Sequence, residues 1–424
     1  MNSQRKQYII NLLATFASQG FTAGSILLLT PILLSNLGTE LFSLYGIILN
    51  LILIFAIFDI GFNTGLLRRL IHEQAQASTL ISTCFYFFLA ISPLVFLAIW
   101  GFINIGWLFA ANQSLPISSA LLAVLLAAWV LLNMQAALFD VVLQSLNKIF
   151  VGKVIRIIKT IVEFGLIWWA SYQQNIIWMI ACLLVTNLLY VFAMYLIAKR
   201  AIPFRIFFPT AFISSCKLHI NYSIWYGLSA IAGVLVYNAQ TVLMGTQLST
   251  SSIAIILVVA KFYEVVKVGL ANFTVILFPG IVLSEAKGQW HTIFVQYKKT
   301  IFRIGLLVVL ASIFLLTVGE YLFKIWSGFT DAAALQVYHY YTFLIMALVI
   351  EHISIVYLSA LKLNKIPTIV SIVQGLLGLL LSYWLMQTYQ LIGAIWGSLI
   401  ALCCTSFFFN PIYLILHLRK KLQP

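Results

Sequence analysis

Apolar runs of roughly 17 to 30 residues alternate along the chain with short clusters of charged and turn-forming residues. A run of about 20 apolar residues crosses the hydrocarbon core of a bilayer as a helix. The pattern therefore predicts twelve transmembrane helices, at residues 9–34, 41–62, 80–103, 117–145, 155–171, 175–198, 219–243, 252–283, 301–321, 333–361, 366–386 and 390–416. The fifth is short and carries Arg156 and Lys159 at its entrance, which leaves a re-entrant or interfacial helix open there. The longest polar gap, 199–217, holds Pro203 and Pro209 with Phe204, Phe207, Phe208 and Phe212 among its cations. It divides the chain into an N-terminal lobe (1–200), a linker (201–218) and a C-terminal lobe (219–424). The fold class expected is an all-α polytopic membrane protein, with about twelve helices in two six-helix lobes around a central cleft.

Charge sets the orientation. Of 24 Lys and Arg, 21 fall at the chain ends or in the gaps after even-numbered helices, and the odd-numbered gaps hold only Lys324. The bias of Lys and Arg toward cytoplasmic loops places both termini in the cytoplasm. The net charge of +14 is thus mostly a topology signal. It is spread over separate short segments rather than one basic stripe, which argues against nucleic acid as a partner.

Composition agrees: 63% hydrophobic and 8% charged residues cannot coat a water-soluble protein of this length. Trp100, Trp107, Trp168, Trp169, Trp178, Trp326 and Trp384 fall near the predicted outer helix ends, as an interfacial aromatic belt would. The first apolar segment is too long and too polar for a signal peptide. Cys84, Cys182, Cys216, Cys403 and Cys404 lie in spans or a cytoplasmic gap without metal-ligand spacing, and read as small buried hydrophobes.

Polar residues concentrate in two spans that occupy equivalent places in the halves. Helix 1 carries Asn11 and Gln19 among Thr and Ser; helix 7 carries Asn221, Asn238 and Gln240 among Ser and Tyr. Such side chains either line a passage or hydrogen-bond neighbouring helices.

Charges within spans are costlier. Lys261, Glu264 and Lys267 lie near the middle of helix 8, where three ionised groups facing lipid would cost about 8 to 10 kcal/mol on insertion scales. At 100° per residue they share an arc of about 120°, and Glu264 can pair well with one lysine at a time, leaving one cation over. The spare lysine either serves a ligand or snorkels to an interface. Lys153, Arg156 and Lys159 recur every third residue at the mouth of helix 5. The remaining intramembrane acids are Asp59 and Asp140 toward cytoplasmic ends, Glu163 in helix 5, and Glu351 beside His352 in helix 10. A carboxyl in a dry site can take up a proton, so each is a candidate coupling group as well as a structural one. Asp59 can also pair with Arg68 or Arg69. Adjacent helical residues point about 100° apart, so Glu351 and His352 need not form one relay.

Asn11, Gly20, Thr30-Pro31, Leu37-Gly38, Tyr45-Gly46 and Asp59-Ile60-Gly61 leading to Arg68-Arg69 resemble the first two helices of Wzx-type O-antigen flippases. Gly393-Ala394-Ile395-Trp396-Gly397 is similar to that family's last span. The resemblance implies the multidrug/oligosaccharidyl-lipid/polysaccharide exporter (MOP) fold in a bacterial inner membrane. It further implies flipping of a polyprenyl diphosphate-linked oligosaccharide, such as an O-antigen repeat unit of lipopolysaccharide, from the cytoplasmic to the periplasmic leaflet. Membrane lipid, and a polysaccharide polymerase, are the other partners expected. No cofactor is expected beyond coupling to a H+ or Na+ gradient.

On that reading Lys261 and Lys267 would capture the diphosphate, and Lys153 and Arg156 would recruit it. Glu264, Glu351, Glu163, Asp140, Asp59, Asn11, Gln19, Asn221 and Asn238 would line the path or couple it to ions. No phosphate loop, paired metal ligands or hydrophilic catalytic domain is visible, so an enzyme is not expected. The alternatives are an O-antigen polymerase or ligase, which would bring a large outer loop, and a multidrug and toxin extrusion type exporter, whose cationic cargo sits poorly with spare lysines.

Overall fold

The computed structural model of the chain describes residues 3–104 and 118–422; within these, the side chains at 3–6, 8, 9, 68, 72, 221, 222, 226, 265–276, 279 and 286 are outside the described set. Among the described residues fourteen α-helices follow in order: α1 (Ser3–Phe55), α2 (Phe62–His72), α3 (Ala77–Asn104), α4 (Ser119–Ser145), α5 (Ile149–Tyr172), α6 (Ile176–Ala201), α7 (Phe212–Tyr237), α8 (Ala239–Gln247), α9 (Thr250–Ala286), α10 (Trp290–Phe314), α11 (Glu320–Ser327), α12 (Ala332–Ala360), α13 (Lys365–Cys404) and α14 (Ser406–Leu422). No strand occurs among them. In lipid every backbone N–H and C=O must be satisfied inside the protein, and helices do this segment by segment.

Eight helical stretches among the described residues are long and apolar enough to cross a membrane, and two of them, Ile10–Asp59 and Lys365–Leu422, run for 50 and 58 residues. Each of these two holds a pair of predicted spans. α1 breaks at Gly38 (φ 70°, ψ 175°), inside the predicted gap between helices 1 and 2. α13 breaks at Gln390 (φ 48°), the first residue of predicted helix 12. The predicted fifth span, for which the sequence leaves an interfacial or re-entrant form open, is one continuous 24-residue helix, α5. The helices overrun the apolar stretches at several ends: α10 already includes Lys298, Lys299 and Arg303, assigned from the sequence to a gap. Hydropathy marks where lipid begins, whereas a helix continues as long as its backbone bonds are best made within it.

Exposed faces are apolar. Phe302, Leu306, Leu307, Val309, Leu310, Ile313 and Phe314 form such a face along α10, and Trp100, Trp168, Trp169, Trp178 and Trp384 are likewise exposed. Trp107 lies outside the described residues. A continuous apolar exterior of this kind is stable only against hydrocarbon. The chain is a multi-pass membrane protein.

Two compact units divide it, Met1–Ile231 and Ala232–Pro424, with the boundary inside α7. In the first unit α4 is central and packs against α3 and α6; Leu122, Ala123, Leu126, Val130, Leu138, Phe139 and Leu143 are buried along it. In the second unit α12 holds the corresponding place, against α9, α10, α13 and α14. Its C-terminal end joins a core of Ile281, Ile293, Tyr297, Ile353, Tyr357, Leu358, Leu414 and Leu418, in which Tyr297 bonds Ser354 at 2.8 Å and Thr300 bonds Tyr357 at 3.1 Å. Between α10 and α11 the turn Leu315–Gly319 widens into a π-helix. The Tyr338 hydroxyl donates to the Leu315 carbonyl there at 2.7 Å, satisfying a group that the wider turn releases.

Candidate functional site

The charged residues of the first unit gather in a seam along α5. Its first turns place Lys153, Arg156 and Lys159 at successive steps of three, and Glu163 follows one turn later. Lys159 Nζ pairs with Glu163 at 3.0 Å and lies 5.4 Å from the Tyr190 ring centre on α6. Thr186 Oγ1 donates to Glu163 at 3.2 Å, and Arg156 hydrogen-bonds the Tyr190 side chain. From α4, buried Asp140 accepts a bond from Gln144 at 3.0 Å; its other oxygen lies over Gly152, where a methyl group would collide with it. Asp140 also attracts half-buried Lys153 electrostatically, against repulsion from Arg156. Five residues that the sequence separated into recruiting cations and coupling acids thus share one seam, with one positive charge in excess.

Beside the seam, α1 and α5 run in parallel, tied at one end by Asn11 to the backbone N–H of Phe150 (3.0 Å) and at the other by Asn36 to Ser171 (2.8 Å). An apolar groove of about 580 Å³ opens between these ties, bordered by Ala17, Gly20, Gly24 and Leu28 of α1 and Ile161 and Phe164 of α5.

Asn11 itself is buried and wholly engaged, since its amide nitrogen donates to both the carbonyl (3.0 Å) and the side chain (2.9 Å) of Asn147. Gln19 is half-buried, and its side-chain oxygen has no partner among the described residues. Asp59 accepts from the backbone N–H of Asn63 at 3.2 Å at the start of α2. The partner expected for Asp59 is taken: Arg69 pairs with Glu73 at 2.7 Å, and the Arg68 side chain lies outside the described residues.

In the second unit, Lys261 of α9 pairs with Glu264 at 2.9 Å, both part-exposed. Lys267 and Asn221 have side chains outside the described residues. Asn238 is half-buried at the break between α7 and α8. Glu351 is 2% exposed. Asn410 of α14 donates to it at 2.7 Å, and Ser406 lies within hydrogen-bond reach of both Glu351 and Gln374 of α13. Gln374 borders a cavity of about 20 Å³ shared with Gln240 and Ser398, room for one water-sized guest. Gln240 in turn donates to Ser382 at 2.8 Å and to the Ala394 carbonyl. A carboxyl is thus linked through Ser406 and Gln374 to a small, mostly apolar cavity that Gln374, Gln240 and Ser398 supply with polar groups. His352 is not among the groups bonded to Glu351.

No protein-family model and no curated protein matches the chain. Solved structures do. The lipid II flippase MurJ, in an inward closed conformation, is similar at TM-score 0.74 and 17% identity over 97% of this chain and 87% of that one. An inward-facing multidrug resistance MATE family transporter of the MOP superfamily gives TM-score 0.71 at 12% identity, over 94% of this chain and 95% of that one. The MATE multidrug transporter DinF-BH gives 0.61 at 12% identity, over 97% and 94%. The fold is that of the MOP-superfamily transporters. The structural neighbours are transporters and flippases rather than enzymes.

Within this MOP fold the sequence left several polar residues without a role. Asn410, Ser406 and Gln374 are isolated polar residues in apolar runs, and the only sequence signal was their cost in lipid. The sequence presents Arg69 as a topology charge or a partner for Asp59 and singles out neither Glu73 nor His219, because the arginine and the histidine stand 150 positions apart.

Proposed function

We propose that the chain is a flippase that carries a polyprenyl (undecaprenyl) diphosphate-linked oligosaccharide, such as an O-antigen repeat unit, from the cytoplasmic to the periplasmic leaflet of a bacterial inner membrane by ion-coupled alternating access. The observation that carries this reading is surplus positive charge within predicted spans. Lys261 is neutralised by Glu264, which leaves the charge of Lys267 on the same helix, and the α5 seam holds three cations against two acids. An anionic diphosphate offsets such charge, whereas a cationic drug adds to it. The likeness in fold to a lipid II flippase supports the same cargo class, as does the resemblance of helices 1 and 2 to Wzx-type flippases. Lys153 and Arg156 then recruit the diphosphate, Lys261 and Lys267 hold it during transfer, and Glu351 couples transfer to an ion gradient.

Transport of a defined lipid-linked oligosaccharide in proteoliposomes tests the proposal. The double variant Lys261→Ala with Lys267→Ala should lose transport at least about tenfold while still reaching the membrane; unchanged transport would sink the diphosphate assignment. Efflux of a cationic dye without lipid transport would favour the multidrug exporter instead. Altered glycan chain length with normal translocation would favour a polymerase.

A further inference from the structure

α7 begins in the first unit, and two things hold it there. One is a backbone contact at the turn Ile60–Gly61, where both residues are left-handed (φ 49° and 73°). A methyl group on Gly227 of α7 would lie 2.7 Å from the Ile60 carbonyl carbon, and one on Gly61 would lie 2.7 Å from the Gly227 nitrogen. The other is a side-chain clasp two helical turns from the start of α7. Arg69 of α2 donates from Nη1 to Nδ1 of His219 at 2.8 Å, and the His219 ring lies 5.5 Å from that of Phe62. His219 is fully buried and Arg69 nearly so.

The chemistry of this clasp fixes the state of the imidazole. A guanidinium can only donate, so Nδ1 must accept, and His219 is neutral with its proton on Nε2. That Nε2 is buried without a hydrogen-bond partner among the described residues. Gaining a proton at Nδ1 would set two donors against each other at 2.8 Å and two cations side by side in a buried place. Of the charged groups around it, Arg69 repels a protonated ring and Glu73 attracts one. Glu73 already gives both carboxylate oxygens to Arg69, at 3.3 and 2.7 Å. Cys84 of α3 lies near Arg69, Asp59 and Cys216 of α7, Asp59 is bonded to Asn63, and the side chains of Arg68 and His72 lie outside the described residues.

We infer that His219 is a proton-accepting site whose protonation releases the first half of α7 from α2. The neutral ring holds the clasp closed, and the protonated ring opens it. Because α7 continues past Ile231 into the second unit, a proton here acts on the helix that the two units share. The inference does not depend on the cargo.

Hydrogen exchange of the full chain in lipid nanodiscs tests it, with rates corrected for intrinsic chemistry and referred to peptides of α4. Residues 62–72 and 212–231 should exchange about tenfold faster at pH 5.5 than at pH 7.5. His219→Asn keeps an acceptor for Arg69 and takes up no proton; Arg69→Gln keeps a donor and removes the opposing charge. Either should abolish the pH response while leaving protection at pH 7.5 in place. Equal protection of the unaltered chain at both pH values would overturn the inference without recourse to any variant. A pH response that survives in His219→Asn would do the same.

Discussion

Asn11 and Glu351 are both buried polar residues in predicted spans, but their surroundings give them different work. Asn11 spends its amide on the α4–α5 turn, where Asn147 is left-handed (φ 59°) and needs its carbonyl satisfied. Asn11→Ala would strand the N–H of Phe150 and leave the Asn147 carbonyl only the bond from Gln7. It should cost about 1 to 3 kcal/mol, seen as a lower thermal unfolding midpoint in detergent with transport per folded molecule unchanged. Glu351 lies against Asn410 and Ser406, next to a water-sized cavity. Glu351→Gln retains an oxygen for Asn410 and should leave stability within about 1 kcal/mol of the native value. Transport by that variant should no longer respond to an imposed ion gradient; a full response would remove Glu351 from the coupling role.

At the scale of elements, lipid made the sequence legible. An apolar run announces a span because no other structure satisfies its backbone in hydrocarbon, which is why the break at Gly38 falls in a predicted gap and that at Gln390 falls on the first residue of a predicted span. The α5 stripe was equally visible, since i, i+3 periodicity places Lys153, Arg156 and Lys159 on one face. What periodicity cannot express is which helix that face meets. Asp140 reaching α5 joins two consecutive helices across a turn, and Arg69 reaching His219 joins stretches 150 positions apart. The interruption of helix 7 at Asn238 was hidden for another reason: Leu235 and Val236 before it and Val242 and Leu243 after it let the polar residues between them read as part of one span. The backbone contact of α2 with α7 makes its own prediction. Gly227→Ala pushes a methyl into the Ile60 carbonyl and should destabilise the first unit by about 1 to 3 kcal/mol, with faster hydrogen exchange in residues 62–72 at every pH.

For the whole molecule, Lys153 and Arg156 belong both to the cations that set orientation and to those proposed to meet the cargo, whereas Lys261 and Lys267 emerge only once the orientation set is subtracted. Reversing the outer charge of Lys324, which pairs with Glu320 at 2.6 Å, should leave topology intact, because the bias rests on the many cations at the other helix ends. Cysteine labelling from the two sides of the membrane would check this.

The shared helix α7 also bears on how the chain could be divided. A fragment ending in the polar stretch 202–211 lacks the helix that covers Gly61 and Gly65. One beginning at Thr250 lacks Leu235 and Gln240, which pack on Gly375 and Ser382. A cut on either side of α7 and α8 therefore leaves one half without an internal surface that the other half carries. The deprived half should be unstable alone and should be rescued when the other is made with it, like the pieces of a split reporter.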